Sequence, residues 1–316
     1  MAHRSGPDAA INRVRLNSNQ RQDHQKGNMK SKGFYLLAEN TFESCYFVSR
    51  FIEELGQSSS FLGVLAAEPR PAEDILQDRE RFHSRFGGVT DLSEELEQIW
   101  SELYQPLNPA SRRMIQGYGL PRFSTSHHEN TVFLGSDINA LTARNCMSDL
   151  LEIDNPCWLV TYLPKLLEPW WIEVAQSRLL NCHSAVLPSA RGMHAIEHVA
   201  ASRDIDAFRN AAGVTIHHID AGIDTGSIIR AERVADPFRF DSLWELKGHL
   251  YRTGIEWYIQ TVRDIIGPAD TVPAGIIPSA DLKGPNYLKK HFTEEKRRQA
   301  EAGYLWMKSQ LLEARG

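Results

Sequence analysis

The segment that decides the fold opens with LLNCHSAVLPSARG at residues 179–192 and closes with GVTIHHIDAGIDTGSII at residues 213–229. Both parts begin with a run of apolar residues that is typical of a strand buried in a sheet. Asn181 and His183 are two residues apart, so on a strand their side chains leave the same face near its C-terminal end. Open α/β sheets bind ligands at that edge, which makes both side chains candidates for a site.

A third polar side chain follows the second run. Asp224 lies in the turn Gly222-Ile-Asp-Thr-Gly226, between two stretches rich in Ile and Val. Turns of this kind present a side chain instead of burying it. Considered as residue types alone, Asn181, His183 and Asp224 indicate a site without specifying its chemistry. A polar strand end with a structural histidine remains the alternative.

Around this segment the sequence alternates patterns typical of buried strands and of amphipathic helices. Strands are predicted at 33–38, 61–67, 131–134, 157–161 and 178–183, with a further pair within 213–234. Helices are predicted at 42–55, 137–152, 169–175, 193–202, 204–211 and 242–266, with a last helix from about Thr293. This alternation predicts an α/β fold: a Rossmann-like, mostly parallel sheet with helices on both faces.

Three segments outside this alternation define the expected domain organisation. Residues 69–128 are rich in charge with helical periodicity, which predicts a helical insertion containing a helix capped by Asp91. Residues 1–32 are polar and basic, a composition typical of a disordered tail. The α/β domain then covers 33–266, and residues 267–316 form a connector and a C-terminal helical extension.

Composition and charge exclude several classes of protein. The chain is 42% hydrophobic with a formal charge of −5, and residues 1–32 hold seven Lys and Arg against two Asp and Glu. The remainder therefore carries 28 basic against 38 acidic residues, a balance that argues against a nucleic-acid partner. The four cysteines lack metal-site spacing, and no apolar run is long enough to span a membrane. We expect a cytoplasmic protein without a metal or a membrane partner.

The motifs of the 179–226 segment resemble those of the folate-dependent formyltransferase family. The first motif is Asn181-x-His183, followed by Leu187-Pro188 and a glycine at 192. The second is GVTIH at 213–217, followed by an acidic loop that ends Asp224-Thr-Gly. The resemblance covers roughly residues 130–266, and 33–67 matches only in its pattern of strand, helix and strand.

This resemblance implies transfer of a formyl group from 10-formyltetrahydrofolate to an amine of a small-molecule acceptor, without a metal. Asn181 and His183 would stabilise the oxyanion of the tetrahedral intermediate. Asp224 would hold the imidazole as a cation and relay the proton that leaves the amine. His217 is expected at the edge of the site. The alternative is that it packs behind the side chains that contact the substrate. The full set of expected folate- and substrate-binding residues is Tyr162, Leu163, Pro188, Gly192, His217, Gly222 and Ile223.

The sequence also departs from particular members of the family. Glycinamide ribonucleotide formyltransferases carry a glycine-rich phosphate loop after the first strand, whereas residues 38–43 here read AENTFE, with two acids and no glycine. Methionyl-tRNA formyltransferases add a basic C-terminal domain, which 267–316 does not resemble. The acceptor is therefore expected to be an amino sugar, an amino acid derivative or a specialised metabolite, with its specificity in the insertion at 69–128. Three alternatives remain: a formyltetrahydrofolate hydrolase, a glycinamide ribonucleotide formyltransferase and a non-catalytic folate-binding protein. A homodimer through the C-terminal helices is a further expectation.

Overall fold

A seven-stranded sheet forms the centre of the protein in a computed structural model that describes residues 33–151, 157–267 and 275–314. The strands of the described chain are β1 Phe34–Ala38, β2 Phe61–Ala66, β3 Thr131–Phe133, β4 Trp158–Tyr162, β5 Leu179–His183, β6 Arg191–Gly192, β7 Gly213–His218, β8 Ile228–Arg233 and β9 Asn286–Tyr287. The central sheet has the order β3-β2-β1-β4-β5-β7-β8, and β6 and β9 form a separate pair. The predicted tail at 1–32 lies outside the described residues.

The first five strands of the sheet are parallel, and β7 and β8 join it in antiparallel pairings. The mostly parallel α/β fold expected from the sequence is therefore confirmed. The antiparallel pairing of β5 with β7 places Asn181 opposite His217 and His183 opposite Thr215. Two segments that are more than thirty residues apart in the chain thus meet at one edge of the sheet.

Ten α-helices connect and flank the strands within the described ranges. They are α1 Phe42–Leu55, α2 Glu73–Phe86, α3 Glu94–Leu103, α4 Pro109–Tyr118, α5 Leu141–Leu150, α6 Pro169–Val174, α7 Ala195–Ser202, α8 Ile205–Ala211, α9 Leu243–Ile266 and α10 Glu294–Glu313. None of them is long and apolar enough to cross a membrane.

Six of the ten described α-helices begin after a side-chain cap, and one predicted cap was wrong. Helix α3 begins after Ser93, whose hydroxyl accepts a hydrogen bond from the Leu96 N–H at 3.2 Å, and not after Asp91. Both residues are good N-caps by type, and the extended backbone of Ser93 directly before the helical turns selects it. The caps Ser242 of α9 and Thr293 of α10 lie where the sequence predicted them.

The buried strand β1 shows how the two faces of the sheet are covered. Phe34, Leu36 and Ala38 pack with α1 and α9 on one face, together with residues of α3 and α4 from the insertion. Leu37 packs on the opposite face with the stacked pair Trp170 and Trp171 of α6. Alternate residues of a strand point to opposite faces, so β1 is apolar throughout because helices lie on both sides.

The C-terminal helix α10 packs on α7 in a third apolar cluster. Gly303 lies so close to α7 that an added Cβ would stand 2.1 Å from the Ala200 carbonyl oxygen. Tyr304 is fully buried, and its hydroxyl donates to the carbonyl oxygens of Pro237 and Phe240 at 2.9 Å each. The extension thus completes the core next to α9, while the homodimer remains a prediction.

A buried ion pair attaches the insertion to the sheet. Glu68 follows β2, and both of its carboxylate oxygens accept hydrogen bonds from the Arg79 guanidinium of α2, at 2.7 and 3.1 Å. Arg79 also donates from Nε to the Leu103 carbonyl oxygen and lies 4.5 Å from the centre of the Tyr104 ring. Both charged side chains are almost fully buried. The pair therefore fixes α2 and the end of α3 relative to the sheet.

Glu68→Ala is expected to lower the free energy of unfolding by about 3–5 kcal/mol, because it leaves the Arg79 charge buried without its partner. The exposed pair Arg70 and Glu73 at 3.5 Å supplies the matched control. Glu73→Ala should change the free energy of unfolding by less than about 1 kcal/mol. Urea denaturation followed by tryptophan fluorescence measures both values, and equal effects of the two substitutions would contradict this account.

Candidate active site

The ends of β5 and β7 place three of the candidate side chains together. Leu179 and Leu180 are fully buried in β5, and this anchors the strand so that Asn181 and His183 project from one face near its C-terminal end. His217 reaches the same place from β7, directly opposite Asn181. The strand geometry expected from the sequence thus brings Asn181 and His183 to one side, and the register adds His217 to them.

His217 lies at the centre of this group and not at its edge. Its Nδ1 hydrogen-bonds the His218 carbonyl oxygen at 2.8 Å, and because a carbonyl only accepts, Nδ1 carries the proton. In the neutral ring Nε2 is then an acceptor, and it lies 3.2 Å from Nδ2 of Asn181, which donates. Burial lowers the pKa of His217, and the nearby Asp224 carboxylate opposes this shift only in part. A neutral His217 therefore fixes the orientation of the Asn181 amide.

His183 has its two ring nitrogens in different surroundings. Nε2 lies 3.1 Å from the Ala190 carbonyl oxygen, to which it donates a hydrogen bond. Nδ1 lies 3.6 Å from Oδ2 of Asp224, just beyond hydrogen-bond distance. Since Nε2 keeps its proton, Nδ1 is the nitrogen that gains or loses one. A proton on Nδ1 makes the ring a cation beside the Asp224 carboxylate.

Asp224 lies between the two histidines. Its Oδ1 is 3.6 Å from Nε2 of His217, and its Oδ2 accepts a 2.7 Å hydrogen bond from the backbone N–H of Gly192. Burial raises the pKa of Asp224, but His183, His217 and the Gly192 N–H together outweigh it, and the net pKa is below the usual value. Asp224 is therefore an anion with charge partners on both sides.

The backbone of the turn is built to present Asp224. Its backbone φ angle is +50°, a left-handed conformation that residues other than glycine rarely adopt. Asp220 supports the turn, since its Oδ1 accepts from the Gly222 N–H at 3.0 Å and from the Thr225 hydroxyl at 2.6 Å. The strained conformation of Asp224 is thus held by its neighbours and by Gly192, as is common at functional sites.

Gly192 connects the C-terminal segment to this turn. It has a φ of +86°, and an added Cβ would stand 2.1 Å from the Tyr287 carbonyl oxygen of β9. Two contacts hold this loop in place. Strand β6 pairs with β9, and the Gly284 N–H donates to the Pro188 carbonyl oxygen at 2.8 Å. Glycine is therefore required where the segment 284–292 crosses the loop that binds Asp224.

A cavity of about 460 Å³ opens beside these side chains, a size typical of small-molecule sites. Its wall includes the catalytic candidates Asn181, His183 and Asp224. The predicted binding residues that line it are Tyr162, Leu163, Gly192, His217, Gly222 and Ile223. Pro188, which was also predicted, does not line the cavity; its carbonyl oxygen accepts a hydrogen bond from the Gly284 N–H at 2.8 Å.

Other side chains of the cavity wall come from parts of the chain that the motifs do not cover. Glu39 and Glu43 follow β1, and Gln105 and Asn108 belong to the insertion. The remaining polar groups include Lys165, Lys247, Tyr251 and Lys289. The sequence drew attention to the acidic loop at 38–43 and to the insertion, but nothing in it indicated Tyr251 or Lys247. Those two residues face the cavity from the long helix α9, where they look like ordinary members of a helical pattern.

Within the ranges that the structure describes, no three His, Cys, Asp or Glu side chains are grouped in a way that could hold a metal ion. The histidines of the site are instead engaged by the Ala190 and His218 carbonyl oxygens, by Asn181 and by Asp224.

Residues 138–262 match the formyl transferase family model. This part of the chain is similar to the formyl transferase family. The formyl transferase segment contains Asn181, His183, His217 and Asp224, and it runs from the start of α5 through most of α9. Glu39, Glu43 and the insertion residues of the cavity wall lie before it.

Curated relatives match the formyl transferase segment over about a third of this chain. Phosphoribosylglycinamide formyltransferase of Bacillus subtilis is 26% identical over 99 residues, which are 30% of this chain and 46% of that protein. Methionyl-tRNA formyltransferase of Dichelobacter nodosus is 31% identical over 104 residues, which are 33% of this chain and 31% of that protein. The matched region thus spans less than half of each relative.

Similar solved structures include a sugar N-formyltransferase from a Shewanella species and an N-formyltransferase from Helicobacter canadensis. The enzyme from a Shewanella species is 12% identical, with a TM-score of 0.49, and the match covers 86% of this chain and 88% of that one. The N-formyltransferase from Helicobacter canadensis, in complex with folinic acid and dTDP-3-aminofucose, is 11% identical with a TM-score of 0.48, covering 85% and 80%.

The site makes a prediction about protonation. In ¹⁵N NMR spectra of the histidine rings, His217 should remain neutral with its proton on Nδ1 as the pH falls through 6.5, the usual histidine pKa. The unfolded chain binds a proton there in that window, so His217 should reduce the free energy of unfolding as the pH falls. The signal is assigned with His217→Gln, and a His217 ring that titrates at or above pH 6.5 would contradict the geometry described here.

Proposed function

We propose that this protein is an N-formyltransferase that moves a formyl group from 10-formyltetrahydrofolate to an amine of a small-molecule acceptor. The observation that carries this proposal is the arrangement of Asn181, His183 and Asp224 around one cavity within the formyl transferase segment. Each of these three side chains has a role in that reaction, and each has the hydrogen-bond or charge partners that its role requires.

The reaction begins with attack of the acceptor nitrogen on the formyl carbon. The new C–N bond turns the carbonyl oxygen into an oxyanion, which needs hydrogen-bond donors already in position. Asn181 uses one N–H on His217 and keeps a second N–H for this purpose. Protonated His183 adds a positive charge beside the cavity, because its Nδ1 is the nitrogen that takes up the proton. His183 is buried and Asn181 is half-buried, and such interactions are stronger there than in water.

Asp224 handles the proton that the acceptor nitrogen loses. As an anion between two histidines, it favours the protonated form of His183 and accepts the proton that the attacking amine loses. The tetrahedral intermediate then collapses as the bond between the formyl carbon and the donor nitrogen breaks, and that nitrogen takes the proton. The products are a formamide and tetrahydrofolate, so atoms and charge balance.

Binding of both substrates side by side supplies much of the remaining acceleration. The wall next to the catalytic side chains is formed by the chain from Tyr162 through Leu167 and by the segment 219–223. We assign the folate donor to this part of the wall. The part formed by the acidic loop and by the insertion residues Gln105 and Asn108 is then left for the acceptor. Pro188 keeps its predicted role only indirectly, through the shape of the loop that carries Gly192. A cytoplasmic location and a biosynthetic role remain predictions.

Asp224→Asn and His183→Ala are each expected to reduce kcat for tetrahydrofolate release in the presence of an amine by about 10²–10⁴-fold. Binding of 5-formyltetrahydrofolate, measured by calorimetry, should change little, because neither residue is assigned to the folate ring. The exposed residues Asp206 and His127 supply the controls Asp206→Asn and His127→Ala, which should retain wild-type turnover.

Two outcomes would contradict the proposed function. Wild-type kcat in Asp224→Asn would remove the assigned proton path. Release of tetrahydrofolate and formate at a rate independent of any added amine would identify a hydrolase, since water would then replace the acceptor nitrogen. Mass spectrometry of the acceptor distinguishes these cases, because only formyl transfer adds the mass of a formyl group in place of a hydrogen.

A further inference from the structure

Two buried carboxylates face the cavity from the loop after β1. Glu39 is 5% exposed and Glu43 is 8% exposed, and both belong to the cavity wall. The residues between them, Asn40 and Thr41, lead directly into helix α1, which Thr41 caps. Neither carboxylate takes part in the catalytic group described above, so their presence in this wall needs a separate explanation.

Glu43 is held in one orientation by the insertion. Asn108 donates from Nδ2 to its Oε1 at 2.8 Å, and the Ser111 hydroxyl donates to the same oxygen at 2.7 Å. Across the described ranges, no lysine, arginine or histidine nitrogen lies within 4.0 Å of this carboxylate, and no hydrogen bond reaches Oε2. A buried carboxylate without a cationic partner is costly, because burial removes the water that would stabilise its charge.

Glu39 is only slightly better compensated. Its closest cation is Nζ of Lys165 at 3.9 Å, beyond hydrogen-bond distance and on a side chain that is 38% exposed. Burial raises the pKa of Glu39, and Lys165 and Lys289 do not fully offset this effect. The charge on Glu39 thus lacks a close partner of the kind that a cationic ligand would provide.

Lys289 of the cavity wall is exposed, and the buried cation Lys247 is already neutralised within the protein. Lys247 donates to Glu197 at 2.9 Å, and both side chains are 4% exposed. Lys247 therefore has no free charge for the acidic loop or for an anionic ligand. The unpaired buried charge at this end of the cavity is that of the Glu39 and Glu43 carboxylates. These carboxylates would repel a phosphate group bound there.

We propose that the acceptor is a small molecule with two amines, such as a linear diamine or a basic amino acid, and that Glu39 and Glu43 bind the amine that does not react. This inference rests on the proposed function, because it divides one acceptor between the acidic loop and the catalytic side chains. The ammonium group that stays protonated contacts the free oxygen of Glu43 and the carboxylate of Glu39. The second amine, as the free base, reaches the formyl carbon beside Asn181.

The sheet sets the distance between the two positions. The acidic loop follows β1 and Asn181 lies at the end of β5, with β4 between them. Neighbouring strands are about 4.8 Å apart, so the two strand ends are separated by about 10 Å. Glutamate and asparagine side chains extend into this gap from their own strands. A short methylene chain between two amines can bridge what remains.

Acceptor assays test the proposal in matched pairs. Putrescine is compared with butylamine and ornithine with norvaline, each pair differing by one amine, while glycinamide ribonucleotide serves as a phosphate-bearing acceptor. With 10-formyltetrahydrofolate present, at least one member with two amines should give tetrahydrofolate and the formylated product with a kcat/KM about 10- to 100-fold above its partner with one amine. That factor corresponds to a hydrogen bond to a charged group.

Glu43→Gln supplies the decisive variant. Glutamine retains the oxygen that Asn108 and Ser111 bind, so the loop keeps its structure, while the free oxygen is replaced by an amide that repels a cation. We expect kcat/KM for the acceptor with two amines to fall about 10- to 100-fold, with unchanged affinity for 5-formyltetrahydrofolate. Glu39→Gln should act in the same direction, and the exposed Glu129→Gln should have no effect.

Calorimetric titration of putrescine and ornithine into the wild type and Glu43→Gln separates this proposal from the proposed function. Binding that depends on Glu43 without any formyl transfer would support the acidic subsite and contradict the proposed function. Transfer to a neutral or phosphate-bearing amine with no effect of Glu43→Gln would support the proposed function and overturn the subsite. Failure of the wild type to bind either compound would also overturn it.

Discussion

The hydrogen bond from the Gly192 N–H to the Asp224 carboxylate is the contact on which the site depends most directly. It joins the loop after β5 to the loop between β7 and β8, and it holds Asp224 in a left-handed backbone conformation beside His183 and His217. Gly192 is itself held by the pairing of β6 with β9. Four segments of the chain must therefore fold together before one carboxylate is in place.

This arrangement explains why the site can use strong electrostatics without a metal in its assigned chemistry. Asp224 is buried, and two histidines and a backbone N–H outweigh the cost of its burial. His217 remains neutral because its Nδ1 proton is engaged by the His218 carbonyl oxygen, and it orients Asn181 instead of competing for the charge. His183 instead has its Nδ1 3.6 Å from Oδ2 of Asp224. Two histidines that look equivalent as residue types thus take different roles because of their hydrogen-bond partners.

The acidic loop extends the same reasoning to the other end of the cavity. Catalytic charges are paired within the protein, whereas the charges of Glu39 and Glu43 are not closely paired by any cation of the described chain. The insertion contributes here in two ways: α2 is attached to the sheet through the buried Glu68 and Arg79 pair, and Asn108 of the α4 cap positions Glu43. Under the proposed function, donor chemistry and acceptor selection come from different parts of the chain.

Much of this could be predicted from the sequence, because it depends on local rules. Strand and helix periodicity established the α/β fold, and the spacing of Asn181 and His183 placed both on one face of a strand. Motifs also identified the formyl transferase segment. Local rules failed where two residues competed for one role, as Asp91 and Ser93 did for the cap of α3. They also misplaced His217 at the edge of the site, since its position depends on the pairing of β5 with β7.

Residue types and spacing therefore predict the fold class and the candidate catalytic side chains, because both predictions depend on patterns within short stretches of chain. Other features follow from the packing of the folded chain. They are the tautomer of His217, the absence of Pro188 from the cavity wall and the contact of the acidic loop with the insertion. Only the packed sheet and its loops bring Asn108 to Glu43 and Gly192 to Asp224. Burial then determines which of these charges must be paired and which remain for a ligand.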